Sequence, residues 1–256
     1  MKCLIIAAGQ GTRLRSIAPS KPLAQVAGRP LIEHVVRRAA AGGASGFVVV
    51  TGYEPEPLEA FLADLAERSG LAIETVRNPD WHRPNGLSVL AAQARLEDEF
   101  ILLMSDHLFD PDILRDMIAA DRGGAALTLG ADYAVDNPLL DLDDATKIEL
   151  GEDGRIRRIG KTLARYDAVD TGIFIATPRL LDALRASLAA GGLGSLSEGV
   201  QALADAGRAF TRDIGGRWWL DVDDEAAFAK AEAALRPSPP WKGGAGVGRR
   251  AKRDVY

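Results

Sequence analysis

The sequence predicts an α/β protein with a mainly parallel sheet that helices cover on both faces. Short apolar runs of strand length alternate with longer segments whose apolar residues recur at helical spacing, and this alternation fills the first half of the chain. The first apolar run also leads directly into a glycine-rich turn, as strands do at the carboxyl edge of such sheets. Right-handed crossovers between parallel strands are therefore expected.

The elements of the first half follow from these two patterns, the short apolar runs and the apolar residues at helical spacing. Buried strands are expected at residues 4–8, 47–50, 73–76 and 100–104. Helices are expected at 31–39, between Pro57 and Gly70, and at 87–96.

The second half changes character, and its elements are expected to extend the sheet and roof a pocket. Segments 145–150 and 156–159 flank an Asp-Gly pair and predict a β-hairpin. Further strands are expected at 167–175, 210–214 and 218–220, and further helices at 180–188, 196–203 and 228–235. Residues 1–235 form the predicted domain, and the Pro/Gly-rich basic segment 236–256 reads as a tail or linker.

Composition excludes several classes of protein. A chain of 256 residues with a net charge of −5 is typical of a globular protein and argues against nonspecific nucleic-acid binding. The single cysteine, Cys3, excludes an internal disulfide. The sequence has no apolar run of membrane-spanning length and no signal peptide, so a cytoplasmic location is expected.

The turn after the first strand has the composition of a phosphate site. Gly9 and Gly11 let the backbone approach a ligand, Arg13 can hold two phosphate oxygens through its planar fork, and Lys21 can act as a point charge. A dinucleotide fingerprint and a P-loop both fail on spacing. The simpler alternative is a glycine turn with two solvated cations.

Carboxylates follow two later strands. Asp106 comes after the strand at 100–104, so it lies at the same sheet edge as the glycine turn and can hold a hard cation against phosphate oxygens. Asp221 and Asp223 share a face if their backbone is extended. The alternative for each is helix capping, which we prefer for Asp224. His107 has a weaker claim, since a lone histidine is more often a packing residue.

These motifs resemble a known family. The pattern AAGxGTRL followed by SKPL resembles the signature of the sugar-phosphate nucleotidyltransferases. The succession ATKIEL, EDGRIRRIGKTL, YDAVDTGIF, LSEGV and WWLDVDDEAAF is similar to the inositol-1-phosphate cytidylyltransferase branch, including the cytidylyltransferase half of bifunctional enzymes that make di-myo-inositol phosphate precursors. The likeness covers about residues 1–235, with Ser105 and Pro84 departing from the family's usual glycines.

The resemblance implies a fold, an activity and a set of site residues. The fold is a Rossmann-like three-layer fold with a mainly parallel mixed sheet, of the nucleotide-diphospho-sugar transferase type. The activity is Mg²⁺-dependent transfer of a cytidylyl group from CTP to inositol 1-phosphate, giving CDP-inositol and pyrophosphate. Arg13 and Lys21 are the implied catalytic residues, and Asp106 and Asp221 the implied metal ligands. The implied nucleotide-binding residues are Ala8, Gly9, Gly11, Thr12, Arg13, Lys21, Asn85, Gly86, Ser88 and Asp106. The implied acceptor-binding residues are Lys147, Lys161, Asp170, Thr171, Gly172 and Glu198.

Alternatives stay open at this point. The same chemistry suits another acceptor, such as a hexose 1-phosphate with UTP or dTTP, or phosphocholine with CTP. A catalytically silent nucleotide-binding regulator is a further alternative, although Arg13, Lys21, Asp106 and Asp221 are all present. The resemblance also implies a functional link to a membrane alcohol phosphotransferase, while the sequence leaves a homo-oligomer open.

Overall fold

The computed structural model describes residues 1–136, 141–151 and 153–236. The predicted tail lies outside these ranges from residue 237 onward, as does Glu152 in the predicted hairpin turn. None of the helices in these ranges has both the length and the apolar character that a membrane span requires.

Strands and helices alternate through the first half as the periodicity predicts. The strands are β1 (Lys2–Ile6), β2 (Gln25–Val26), β3 (Arg29–Pro30), β4 (Gly46–Thr51), β5 (Ile73–Arg77), β6 (Phe100–Met104), β7 (His107–Phe109), β8 (Leu127–Asp132), β9 (Lys147–Leu150), β10 (Ile156–Gly160), β11 (Ala168–Ala176), β12 (Ala209–Asp213) and β13 (Trp219–Asp221). The helices are α1 (Leu31–Ala41), α2 (Pro55–Ser69), α3 (Gly86–Ala91), α4 (Pro111–Ala119), α5 (Arg179–Ala189), α6 (Leu196–Asp205) and α7 (Glu225–Leu235). Short 3₁₀ turns span Thr12–Leu14, Lys21–Leu23 and Gln93–Arg95.

The main sheet joins nine of the described strands. β5, β4, β1 and β6 lie side by side in that order and run parallel to one another. β11 pairs antiparallel with β6 and with β8, β8 pairs with β12, and β9 and β10 form the predicted hairpin beside β11. Two antiparallel pairs, β2 with β3 and β7 with β13, lie outside this sheet.

Two apolar cores cover the two faces of the sheet. In β1 the side chains of Cys3 and Ile5 enter one core, and those of Leu4 and Ile6 enter the other, because successive residues of a strand point to opposite faces. α1, α2 and α4 pack on the first core, and α3, α5 and α6 pack on the second. The predicted three-layer α/β fold is confirmed.

Five strands and helices are missing from the sequence prediction, two of them the short strands β2 and β3. β8 and α4 lie in the stretch between the fourth predicted strand and the hairpin, and β7 is only three residues long. The helix predicted at 87–96 is divided into α3 and the 3₁₀ turn Gln93–Arg95. The β7–β13 pair matters most for the site, because it joins segments that are far apart in the sequence.

Candidate active site

Two adjoining cavities open at the carboxyl edge of the parallel strands. The first, here called the loop cavity, has a volume of about 350 Å³ and is bordered by the glycine turn that follows β1. The second, here called the acidic cavity, has a volume of about 520 Å³. Five residues line both: Arg13, Asn85, Met104, Asp106 and Asp223. The two cavities therefore meet beside Asp106, where β6 ends.

Most of the predicted nucleotide-binding residues line the loop cavity. They are Ala8, Gly9, Gly11, Thr12, Arg13, Lys21, Asn85, Ser88 and Asp106. Gly86 is the exception. Its α-carbon packs against the backbone just before α6 and against α5, since a Cβ there would lie 2.5 Å from the carbonyl oxygen of Gly194 and 2.7 Å from Leu184 Cδ2. The amide oxygen of Asn85 accepts a hydrogen bond from the backbone N–H of Leu196 at 2.9 Å, which fixes the orientation of the amide and leaves its NH₂ group and one lone pair of the oxygen for a ligand.

Gly11 brings the lysine of the SKPL segment against the turn. Its φ of +60° is a left-handed conformation that glycine adopts without strain. A Cβ on Gly11 would overlap the side-chain stem of Lys21, so only a glycine lets the two segments pack this closely. At Gly9 nothing lies within 4 Å of the place a Cβ would take, which leaves room for a ligand against the backbone.

Both predicted phosphate-binding cations are paired with carboxylates. Lys21, with a side chain only 9% exposed, donates to Asp106 at 2.5 Å and also pairs with Asp223. Arg13 donates to Asp144 at 2.6 Å and also pairs with Asp223. These contacts connect the glycine turn to three acidic segments, and an incoming anion has to compete with them.

The carboxylates around these cations differ in their pKa values. Burial favours the neutral form of Asp106, but the charges of Lys21 and His107 and the hydrogen bond from Lys21 together outweigh burial and hold the pKa of Asp106 below its ordinary value. Burial and the neighbouring charge of Asp221 raise the pKa of Asp223. Hydrogen bonds from Lys161 and Arg13 lower the pKa of Asp144 to about 2. The cluster therefore holds several carboxylates whose negative charge is offset by Lys21, Arg13 and Lys161.

The β7–β13 pair brings the two predicted metal ligands together. Asp221 lies opposite His107 in this ladder, and His107 directly follows Asp106. One ligand atom from each of Asp106, His107 and Asp221 lies within 4.8 Å of the others. The Oδ1 atom of Asp221 is buried and has no hydrogen-bond partner among the described residues. Two carboxylates and an unpartnered buried oxygen suit a divalent cation.

The structure shows which of the aspartates near the site cap a helix. α4 is capped by Asp110, whose side chain accepts from the backbone N–H of Asp112 at 2.9 Å, so Asp106 is not a cap. Asp224 caps α7 by accepting from the N–H of Ala227 at 2.7 Å, as we predicted.

His107 is fixed at the edge of this cluster by β11. Its Nδ1 lies 2.7 Å from the carbonyl oxygen of Thr171, and its Nε2 lies 3.4 Å from Asp221 Oδ2 and 3.7 Å from Asp106 Oδ1. The pairing of β11 with β8 is irregular between Asp170 and Ile173, and this bulge presents the Thr171 carbonyl to the ring. Burial opposes a charged ring, but the two aspartates raise the pKa of His107 to about 10.

The predicted acceptor-binding residues divide into two groups. Lys161, Asp170 and Gly172 line the acidic cavity, and burial raises the pKa of Asp170 to about 6. The other three do not line it. Lys147 donates to the carbonyl oxygen of Lys161 at 3.0 Å and stacks on a tyrosine ring, and the Thr171 hydroxyl donates to a backbone carbonyl.

Glu198 lies apart from the acceptor side for a structural reason. Its carboxylate accepts backbone N–H groups from Leu193, Gly194 and Ser195, and the Ser195 side chain completes a capping box at the start of α6. The expectation that Glu198 binds acceptor hydroxyls therefore does not match the structure. The S-x-x-E spacing in the sequence is the signal that could have identified this cap.

The structure also adds residues that sequence reasoning missed. Trp81 and Arg83 line the loop cavity, and Asp141, Asp144 and Lys230 line the acidic cavity. Trp81 and Arg83 precede the Asn-Gly pair and could have been found by their position. Asp144 and Lys230 carry no local sequence signal, since nothing in a stretch of aspartates or on an exposed helix face indicates a cavity.

Comparisons with known proteins show the family of the chain. The family model of the MobA-like NTP transferase domain matches residues 3–206. A "Bifunctional IPC transferase and DIPP synthase" of Rubrobacter xylanophilus is 37% identical over 221 residues, which are 86% of this chain and 48% of that protein. The protein of the same name in Archaeoglobus fulgidus is 32% identical over 235 residues, 92% of this chain and 44% of that protein. The chain thus spans about half the length of these curated relatives.

A solved structure supports the fold. The inositol-1-phosphate CTP transferase from T. maritima matches with a TM-score of 0.79 at 24% identity, covering 93% of this chain and 98% of that one. At this identity the likeness bears on the fold alone.

Proposed function

The chain belongs to the family of MobA-like NTP transferase domains, and we propose that it transfers the cytidylyl group of CTP to inositol 1-phosphate, giving CDP-inositol and pyrophosphate. The observation that carries this proposal is the junction of the two cavities at Asp106, with Arg13, Lys21 and Asp223 beside it. A triphosphate in one cavity and a phosphate monoester in the other would meet at this junction.

The loop cavity is the proposed nucleotide site. The backbone of the glycine turn leaves open space at Gly9, and the cations Arg13 and Lys21 line the same cavity. A triphosphate carries more negative charge than the single carboxylates that these cations now contact, so it can displace Asp144 and Asp223 from them. Asn85 and the neighbouring Trp81 and Arg83 are then placed to contact the base.

Asp106 and Asp221 are the proposed ligands of a divalent cation, which we expect to be Mg²⁺. The buried, unpartnered Oδ1 of Asp221 fits this proposal, because an oxygen in that state gains most from a cation. When bound, the cation offsets negative charge on the phosphate oxygens and favours their approach to the acceptor. Lys21 remains the fixed positive charge beside Asp106.

The acidic cavity is the proposed acceptor site. Lys161 pairs with Asp144 there and can instead contact the acceptor phosphate, while Asp170 can accept hydrogen bonds from hydroxyl groups. Seven aspartates line the cavity: Asp106, Asp141, Asp144, Asp170, Asp221, Asp223 and Asp224. So many acceptors suit a polyhydroxylated ring such as inositol.

The transfer needs positioning and charge neutralisation rather than a general base. An oxygen of the acceptor phosphate attacks the α-phosphorus of CTP, the bond from that phosphorus to the bridging oxygen breaks, and pyrophosphate leaves with the electron pair. Arg13 and Lys21 stabilise the charge on the leaving phosphates. The acceptor phosphate is already an anion, so no proton has to be removed from it.

Phosphocholine is a weaker candidate acceptor because the aromatic residues near the cavity are engaged elsewhere. Choline recognition calls for open aromatic faces around a cation. Arg38 stacks on Trp218, Lys147 stacks on Tyr166, and the buried Trp219 donates its indole N–H to Asp132 at 2.8 Å. A hexose 1-phosphate has hydroxyls as well, so it stays the main competitor.

A pyrophosphate-release assay tests the proposal directly. The full chain is supplied with Mg²⁺ and each of ATP, CTP, GTP and UTP, against inositol 1-phosphate, glucose 1-phosphate, mannose 1-phosphate and phosphocholine. We expect CTP with inositol 1-phosphate to exceed every other pair, and Asp106→Asn to abolish that signal. A hexose phosphate or UTP as the clear winner would refute the named substrates, and no activity with any pair would favour a silent nucleotide-binding regulator.

We further propose that residues 1–235 form one catalytic domain that works in the cytoplasm. Its product would be consumed by an alcohol phosphotransferase in the membrane, as the resemblance to bifunctional enzymes implies.

A further inference from the structure

We propose that His107 is the third protein ligand of the divalent cation, binding it through Nε2 together with Asp106 and Asp221. This inference rests on the metal site of the proposed function and adds a nitrogen donor to it. Such a donor changes which cations the site prefers.

The hydrogen bond of His107 to β11 fixes which ring nitrogen faces the cluster. A backbone carbonyl oxygen can only accept, so the Nδ1 that lies 2.7 Å from the Thr171 carbonyl carries a hydrogen. Nε2 is then directed to Asp106 and Asp221, at 3.7 and 3.4 Å. A ring held by its Nδ1–H with Nε2 toward the ion is the usual arrangement of metal-binding histidines.

The packing of β11 gives His107 its place. Gly172 has a φ of +73°, and a Cβ there would overlap Nδ1 and lie 2.7 Å from Cε1 of the ring. Its N–H donates to Asp170 Oδ1 at 2.7 Å, which holds the bulge in shape. The bulge and the glycine therefore leave a slot that the imidazole fills, with its Nε2 in the acidic cavity facing Asp106 and Asp221, where a bound cation would take the place of the Nε2 proton.

A nitrogen ligand shifts the cation preference of the site. Mg²⁺ prefers oxygen ligands, whereas the affinity of sites with a nitrogen ligand for first-row transition ions rises from Mn²⁺ to Cu²⁺. The ratio of the affinity for Mn²⁺ to the affinity for Mg²⁺ is therefore expected to be larger than at a site with two carboxylate ligands and no histidine. Replacing His107 should reduce this affinity ratio as well as the affinity for Mn²⁺ itself.

The test uses Mn²⁺ alone on the full chain, without nucleotide. Electron spin-echo spectra of bound Mn²⁺ should carry ¹⁴N modulation from a coordinated imidazole, and His107→Gln should remove it. The chain has three histidines, so His82→Gln, which changes an exposed ring outside the cluster, is the matched control and should keep the modulation. In calorimetry, His107→Gln should weaken Mn²⁺ binding about tenfold or more and weaken Mg²⁺ binding less.

A second pair of variants keeps the test valid if His107→Gln fails to fold. Gly172→Ala should displace the ring and lose the ¹⁴N modulation, while Gly154→Ala carries the same strain at a φ of +74° with nothing within 4 Å and should keep it. Wild-type spectra without ¹⁴N modulation, or modulation that survives in His107→Gln, would overturn the ligand assignment. Cytidylyl transfer without nitrogen coordination would refute this inference alone, and nitrogen coordination without transfer would refute the proposed substrates alone.

Discussion

Replacing Lys21 with methionine should destabilise the protein strongly, because it leaves three carboxylates facing one another. The Lys21 ammonium contacts Asp106 and Asp223, and its charge also acts on Asp221. Methionine keeps most of the stem that packs against Gly11 but removes this charge.

The magnitude follows from the exposure of the partners. Removing one member of a buried ion pair costs about 3–5 kcal/mol. The side chains of Asp106 and Asp223 are 22% and 25% exposed, so water screens part of their repulsion and we expect the lower end, about 3 kcal/mol. For a chain of this size that corresponds to a drop in Tm of about 6–12 °C.

The assay is thermal unfolding at neutral pH with EDTA and then with Mn²⁺. Lys2→Met, at an exposed lysine whose ammonium donates to the carbonyl oxygen of Arg95, is the control and should stay within about 0.5 kcal/mol of the wild type. Mn²⁺ should narrow the difference between Lys21→Met and the wild type, because the cation replaces the lost positive charge at Asp106. A Tm within 2 °C of the wild type in EDTA, on the order of 1 kcal/mol or less, would refute the reasoning.

Three other predictions follow from single contacts. Glu33→Gln should cost about 2 kcal/mol, because hydrogen bonds from Arg68 and Arg37 lower the pKa of Glu33 to about 2 while both arginines stay partly exposed. The wild-type advantage should hold above about pH 4.5, the usual range of a glutamate, and disappear toward pH 2. Lys161→Ala should raise KM for the acceptor phosphate, whereas Lys147→Ala should leave it within about twofold, since only the first lines the cavity. Gly86→Ala should lower stability by about 1–3 kcal/mol through overlap with the Gly194 carbonyl and the Leu184 side chain, with little change in nucleotide affinity.

Each of these has a simple check. Urea unfolding across pH compares Glu33→Gln with Glu67→Gln, a change at an exposed residue of α2, and equal costs at neutral pH would contradict the buried-pair argument. Steady-state kinetics with varied acceptor separates the two lysines, and an equal rise in KM would return Lys147 to the acceptor site. Thermal unfolding and nucleotide titration separate the two effects of Gly86→Ala, and a selective loss of nucleotide affinity would restore its predicted binding role.

The sequence determined the elements whose signals are local. The apolar run of β1, the stripes of α1 and α2 and the Asp-Gly hairpin of β9 and β10 are encoded by residues close together in the chain, and all are confirmed. The glycine turn and its two cations predicted a phosphate site, and the resemblance of the AAGxGTRL and SKPL pattern to a family signature identified a nucleotidyltransferase, which the comparisons confirm. These elements could be predicted because a backbone turn, a helical stripe of apolar residues and a strand each depend on residues within a few positions of one another.

Only the tertiary structure decided how these pieces form a site. The pairing of β7 with β13 places His107 opposite Asp221, and the bulge in β11 turns the ring toward the carboxylates. The tertiary structure also directs Glu198 to the start of α6 and Lys147 away from the acidic cavity. Both residues had been expected at the acceptor site. The direction of a side chain depends on contacts with residues far away in the sequence, and a local sequence pattern does not specify those contacts.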